Sequence, residues 1–294
     1  MRKSLGQKLR SPRFWLRGVN AALRPLNLRM ETLTAARQEM GRLNAARERG
    51  WFARPAFTTP VGFHRAEWRS IVEGLKRHLR RFGTFEAAHR NDVAYQFDNP
   101  FFSSPDAEVL YVILRERQPR RLVEIGSGHS TRVARQAVID GAFPCEIVSV
   151  DPRPRRDVAG FADVVHRVPI ETLDPVELAD GLATGDVLFV DASHEVRAGN
   201  DSAFIFGTLL PRLRPGVIVH IHDVFLPWDY PEDIVFRRGS AGWGEQYVLH
   251  ALLCGRGWDV WWPGYWLQKS EPDFATWFPH LNGSMAQSLW MAKT

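Results

Sequence analysis

Cysteine is scarce in this sequence. The two it has in 294 residues, Cys145 and Cys254, exclude a disulfide framework and a cysteine-based zinc site. No apolar run approaches the roughly 18–20 residues that span a bilayer, so no transmembrane segment is expected. The first residues lack the apolar core and small-residue cleavage site of a secretory signal. These absences set a cytoplasmic location as the expectation, peripheral to a membrane at most. Internal repeats and low-complexity blocks are missing too. Acidic residues are missing from 1–30, which hold Arg2, Lys3, Lys8, Arg10, Arg13, Arg17, Arg24 and Arg29. That stretch sums to +8, so the chain's net +5 leaves −3 for the remainder. With Phe14, Trp15, Leu16 and Leu23 among the arginines, it suits an anionic membrane surface or nucleic acid. A solvated leader is the plain alternative.

What is present reads as an α/β protein behind a helical extension. Hydrophobic residues at 45% and charged residues at 24% are ordinary for a globular chain with a large core. Residues 31–49 and 65–82 have helical patterns, separated by "FARPAFTTPVGFH", which reads as a linker. Ser104, Pro105 and Asp106 then open a further helix. Beyond it, strand candidates at 121–125, 146–150, 163–168, 186–190 and 216–221 alternate with helical stretches near 130–139, 174–182 and 198–213. That alternation indicates a parallel sheet covered on both faces. After 245 come a helix and two strands without a crossover helix between them, expected as an antiparallel terminal hairpin. The division is a leader and helical extension over 1–95, then one domain over 96–294.

"RLVEIGSGHST" places Gly126 and Gly128 where a strand meets a helix. Free N–H groups and the positive helix end there favour an anionic or acceptor-rich ligand group. Glu124 precedes the glycines, and Asp151 ends the second strand, where a carboxylate can accept both ribose hydroxyls. A nicotinamide site would want a third small residue where Thr131 stands, and a second nucleotide-binding half. S-adenosylmethionine, with its ammonium, carboxylate, ribose and adenine, fits a turn flanked by carboxylates better.

"LVEIGSGHST", "VSVDP", "DVLFVDASH" and "LRPGVIVHIHDVF", in that order and spacing, resemble a class I S-adenosylmethionine-dependent methyltransferase, closest to the small-molecule and sugar O-methyltransferases. The resemblance implies a Rossmann-like, seven-stranded, mostly parallel sheet with a terminal antiparallel hairpin. It implies that Glu124 faces the methionine ammonium, and that Gly126, Ser127 and Gly128 face its carboxylate side. Ser130, where a third glycine is usual, would cap the helix or contact that carboxylate. Asp151 would hold the ribose, and Ile170 and Glu171 would line the adenine.

Methyl transfer to oxygen needs a general base, a cation that acidifies the hydroxyl, or positioning. Asp191 and His194 follow the fourth strand, and His222 and Asp223 the fifth, so both pairs reach one rim. In metal-assisted relatives, the resemblance assigns Asp191 and Asp223 as ligands and His194 as base. His222 stands where an acidic ligand is common, which favours manganese, iron or zinc over magnesium. His220, one strand period away, reads as structural, and Asp201 as a solvated helix position. The segment 226–247, rich in proline, glycine and aromatics, reads as a rim loop offering Trp228, Tyr230 and Trp243 to a sugar or ring. Arg237 and Arg238 could meet an anionic group. The expected activity is therefore S-adenosylmethionine-dependent O-methylation of a small molecule, sugar or glycan, with a divalent Mg, Mn or Fe ion as an option. The alternatives are an RNA or protein methyltransferase docked by the basic leader, or a non-catalytic cofactor-binding subunit.

Overall fold

The computed structural model of the protein describes residues 12–27, 30, 33–65, 67–85, 95, 97, 99–154, 157–238 and 242–294. Arg2, Lys3, Lys8, Arg10 and Arg29 of the basic stretch lie outside the described residues. Five parallel strands, β1 (Arg121–Ile125), β2 (Glu146–Val150), β3 (Val164–His166), β4 (Val187–Val190) and β5 (Ile218–Ile221), are followed by β6 (Trp258–Pro263) and β7 (Leu289–Lys293). The order is β3-β2-β1-β4-β5-β7-β6, with β7 antiparallel to both β5 and β6. This is the expected Rossmann-like, seven-stranded, mostly parallel sheet. Its connectivity reverses between β1 and β4, the place where open α/β sheets form a ligand crevice.

The strands form because both of their faces are covered. All four residues of β4 and of β5 are buried, so these strands are near-continuous apolar runs, not alternating ones. Val187 and Phe189 point into one core layer with Leu110, Ile147 and Trp290. Leu188 and Val190 point into the other with Val123, Val219 and Met291.

The helices are α1 (Pro12–Leu23), α2 (Thr34–Glu48), α3 (Trp68–Phe85), α4 (Asp106–Arg117), α5 (His129–Gly141), α6 (Pro175–Asp180), α7 (Asp201–Phe204), α8 (Leu210–Arg212), α9 (Glu232–Arg238), α10 (Glu245–Cys254) and α11 (Gly264–Ser270). The helix expected over 198–213 is thus α7 and α8 joined through a π-helical turn, Ile205–Leu209. Three further readings change. The segment 226–247, expected as a loop, contains α9. There Pro231 ends the extended chain, and Glu232 and Asp233 supply the acidic first turn that suits a helix N-terminus. Strand β6 stops at Pro263 and α11 begins at Gly264, so a helix lies between the two antiparallel strands. A Cβ at Gly264 would come within 2.8 Å of the Ser288 carbonyl oxygen, so only glycine lets α11 start that close to the incoming chain.

The presumed linker is also packed down. Backbone N–H groups of Ala56 and Phe57 both donate to the Pro227 carbonyl, at 2.9 Å. The Trp51 indole donates to Asp229 at 2.6 Å, and Arg65 pairs with Asp259. Phe63 joins one core layer, and Leu75 and Phe82 of α3 join the other. Residues 51–65 and 67–85 therefore pack against the sheet's body.

Candidate active site

Each parallel strand from the middle of the sheet delivers its next residues to one cleft of about 930 Å³. Gly126 and Ser127 follow β1, Asp151 follows β2, Asp191 to Glu195 follow β4, and His222 and Asp223 follow β5. Their positions are fixed because the sheet ladder continues past the strand ends. Gly126 N–H donates to Val150 at 3.1 Å, Asp191 N–H to Ile125 at 2.9 Å, and His222 N–H to Val190 at 3.0 Å. Side chains on this rim are therefore held by rigid backbone, as a site needs.

On the cofactor side, Gly126 has φ +79°, and a Cβ there would lie 1.8 Å from the Asp191 carbonyl oxygen. The β1 turn and the β4 end touch so closely that only glycine fits. Ser127 donates its backbone N–H to Asp151 at 2.9 Å, and Arg153 N–H donates to the other carboxylate oxygen at 2.7 Å. Asp151 is thus oriented beside the turn, on the cleft wall with Ile170 and Glu171. Gly128, Ser130 and Glu124 do not line the cleft. Glu124 is buried beneath the start of α5, accepting from the Ser130 and Thr131 hydroxyls, each at 2.5 Å. Burial pushes its carboxyl up to about 7, the two hydroxyls oppose that, and Asp191 and Asp151 add to it. The resemblance assigns Glu124 to the methionine ammonium; in the structure its two oxygens each accept one hydroxyl from α5.

Beyond the β4 end of the same cleft, His194 Nε2 lies 3.1 Å from Asp223 and 3.4 Å from Asp191. Its Nδ1 is 2.5 Å from Glu245 at the start of α10. A carboxylate can only accept, so Nδ1 donates to Glu245, and Nε2, facing the two aspartates, carries the second proton of an imidazolium. Burial lowers the His194 pKa, but Glu245, then Asp223 and Asp191, raise it, and the net value is well above the ordinary one. His194 and Asp223 both have left-handed backbones, φ +63° and +57°. Trp243 packs over the imidazole with ring centres 4.5 Å apart. Asp201 accepts the N–H and hydroxyl of Ser193, at 2.9 and 2.6 Å, so it braces the 191–194 segment instead of standing in solvent alone.

Ligand atoms of Asp191, His194 and Asp223 lie within 4.8 Å of one another, a possible cation cluster among the described residues. His222 stands beside this cluster, its Nδ1 3.6 Å from Asp191 and 3.8 Å from Asp223, with Asp106 3.4 Å from Nε2. Burial lowers the His222 pKa, while Asp191 and Asp106 raise it to a net value well above the ordinary one. His220 is stacked on Phe189 at 3.8 Å and bonded to the Ser288 hydroxyl at 2.8 Å, inside the core. Of the three rim aromatics only Trp243 lines the cleft. Tyr230 is buried with Phe225 and Tyr265, and Trp228 packs edge-on to Tyr265. Both hold the rim segment onto the body. The side chains of Arg237 and Arg238 lie outside what is described. Sequence reasoning missed Glu245 and Asp106, each an acidic residue in the first turn of a helix. Their burial is the signal, and burial is visible only in three dimensions.

Residues 123–224 match a family model for a methyltransferase domain. No curated protein matches the chain significantly. Among solved structures it is similar to the SAH-bound Podospora anserina methyltransferase PaMTH1, at 18% identity over 91% of this chain and 98% of that one, TM-score 0.40. It is also similar to a SAM-dependent methyltransferase from Archaeoglobus fulgidus, at 14% identity over 67% of this chain and 98% of that one, TM-score 0.34. Likenesses that distant carry no functional argument. The domain match runs from β1 to the turn after β5, the part of the sheet whose strand ends line the cleft.

Proposed function

We propose that the chain transfers the methyl group of S-adenosylmethionine to a hydroxyl of a small molecule, sugar or glycan, with His194 taking the proton. The observation that supports this is one cleft lined both by Gly126, Ser127 and Asp151 and by Asp191, His194 and Asp223. When bound, the cofactor supplies an electrophilic methyl group. Asp151, with its carboxylate already oriented by two N–H groups, suits a ribose diol, and Ile170 offers an apolar wall to adenine.

The acceptor oxygen must lose its proton as it attacks. Glu245 fixes the Nδ1–H of His194, so once the imidazolium has lost its Nε2 proton the neutral ring presents Nε2 as the accepting atom. Asp191 and Asp223 beside Nε2 stabilise the imidazolium that forms. The same three residues favour a second reading, in which they bind a divalent cation through two carboxylates and an imidazole. Such a donor set suits manganese or iron better than magnesium, and the buried Glu245 is the carboxylate expected behind a metal-bound histidine. A cation there would acidify the acceptor hydroxyl, and His194 would then be a ligand and not the base.

Calorimetry and product mass with labelled cofactor and acceptor pools test the proposal. Asp151→Ala should weaken S-adenosylmethionine binding by about 1–3 kcal/mol. His194→Ala should cut turnover by about 10²–10⁴-fold with cofactor affinity nearly unchanged. Activity that survives chelation supports the base reading, and activity that a chelator removes and manganese restores supports the cation. Tight NAD binding with no affinity for S-adenosylmethionine would overturn the assignment.

A further inference from the structure

The face of α1 that carries Val19 has no part in the cleft. Of the residues from 15 to 42 whose exposure is described, none is buried. Yet Trp15 and Val19 are four residues apart, Ala22 follows three later, and Leu26 lies in the turn after the helix, so all four share one stripe. Trp15 is 62% exposed and Leu26 68%. The chain folds back at this point. Asn20 donates its side-chain N–H to the Met30 carbonyl at 2.8 Å and accepts the Met30 N–H at 2.6 Å. Met30, itself exposed, is thereby drawn alongside the helix.

An exposed apolar stripe is unfavourable in water, because removing apolar surface from water lowers the free energy. Here it occurs in a stretch with eight basic residues and no acidic one. Apolar side chains on one helix with unopposed positive charge around it match the boundary between anionic headgroups and acyl chains. Nucleic acid would satisfy the charge but leave Val19, Leu26 and Met30 in water. At twelve residues, α1 is only roughly 18 Å long, and no described helix is long and apolar enough to cross a membrane.

We infer that α1 and the turn after it dock the protein on an anionic lipid surface, with the helix lying in the headgroup plane. The test is co-sedimentation of the full chain with phosphatidylcholine vesicles containing one quarter phosphatidylserine, against pure phosphatidylcholine vesicles and a homopolymeric RNA. Binding to the anionic vesicles should exceed binding to the neutral ones and weaken as salt rises. Val19→Ser/Leu26→Ser should lower it at least tenfold. Those changes leave every charge in place, so attachment by charge alone would survive them. Leu26→Ser alone lies outside the helix and should act in the same direction, which separates loss of docking from loss of helix. Unchanged circular dichroism and cofactor binding of the variants confirm that the body is intact. Equal vesicle binding by variant and unmutated protein, or RNA binding with none to vesicles, would overturn the inference.

Discussion

Glu245 is the residue on which the chemistry of His194 turns. It is buried, and it is the foremost charge holding the imidazole's proton against the lowering effect of burial. The folded pKa of His194 is raised, so its ion pairs stabilise fully below the ordinary histidine value and are lost as pH rises through the raised one. Turnover that needs neutral His194 should rise through that same window. Glu245→Gln should move the rise to lower pH and reduce the maximal rate by about 10–100-fold, the usual scale for a carboxylate that orients a functional histidine. A pH–rate profile reads both effects, and an unmoved profile would make Glu245 a packing residue only. At this scale the sequence was partly legible. Asp191, His194 and Asp223 each follow an apolar strand run, which marks them as rim residues. Glu245 lies 51 residues from His194, and nothing local links the two.

Among the elements, β1, β2 and the turn between β1 and α5 could be read because local signals agree. "RLVEI" and "EIVSV" are apolar runs bounded by polar or glycine residues, and the strands occupy those residues. Elements governed by distant packing could not be read. Helix α9 lies among prolines and glycines that favour a loop, and α11 starts at a Pro-Gly pair that resembles a turn. Helix α11 exists because Gly264 lets it pass the Ser288 carbonyl. Gly126 joins both kinds of information, being visible in sequence and necessary in space. Gly126→Ala would add a left-handed strain of about 1–2 kcal/mol and press a methyl into the Asp191 carbonyl. Overpacking of that kind costs about 1–3 kcal/mol. Denaturant unfolding should therefore show a loss of roughly 2–5 kcal/mol, and calorimetry should show weakened cofactor binding because Asp191 and the turn move together. A variant with full stability would contradict the close approach of β1 and β4.

For the molecule as a whole, Glu124 links stability to pH. Its carboxyl, fully buried and pushed up to about 7 from an ordinary 4.5, holds its proton more tightly in the folded than in the unfolded chain. Stability should therefore fall as pH rises from about 4.5 to about 7, by roughly 3 kcal/mol at most. Glu124→Gln keeps an acceptor and a donor for the Ser130 and Thr131 hydroxyls and removes the charge. Thermal unfolding should show this variant gaining on the unmutated protein across that interval, whereas parallel curves would mean Glu124 ionises freely. The parallel strands were legible from alternation, and the seven-stranded architecture from the family resemblance, but the packing of residues 51–65 and 67–85 was not, because prolines and threonines read as a linker wherever they pack.

The left-handed backbones of His194 and Asp223 set two properties of this protein against each other. Each conformation costs on the order of 1 kcal/mol or more for a residue with a side chain, and glycine would adopt it freely. Substitution toward glycine at Asp223 would relax the backbone while removing a group from the cleft, whereas at His194 it would also leave the buried Glu245 without its partner, a larger loss than the strain relieved. Selection or engineering for robustness alone would thus erode Asp223 before His194. A thermostable descendant that keeps its activity must draw the added stability from elsewhere in the chain.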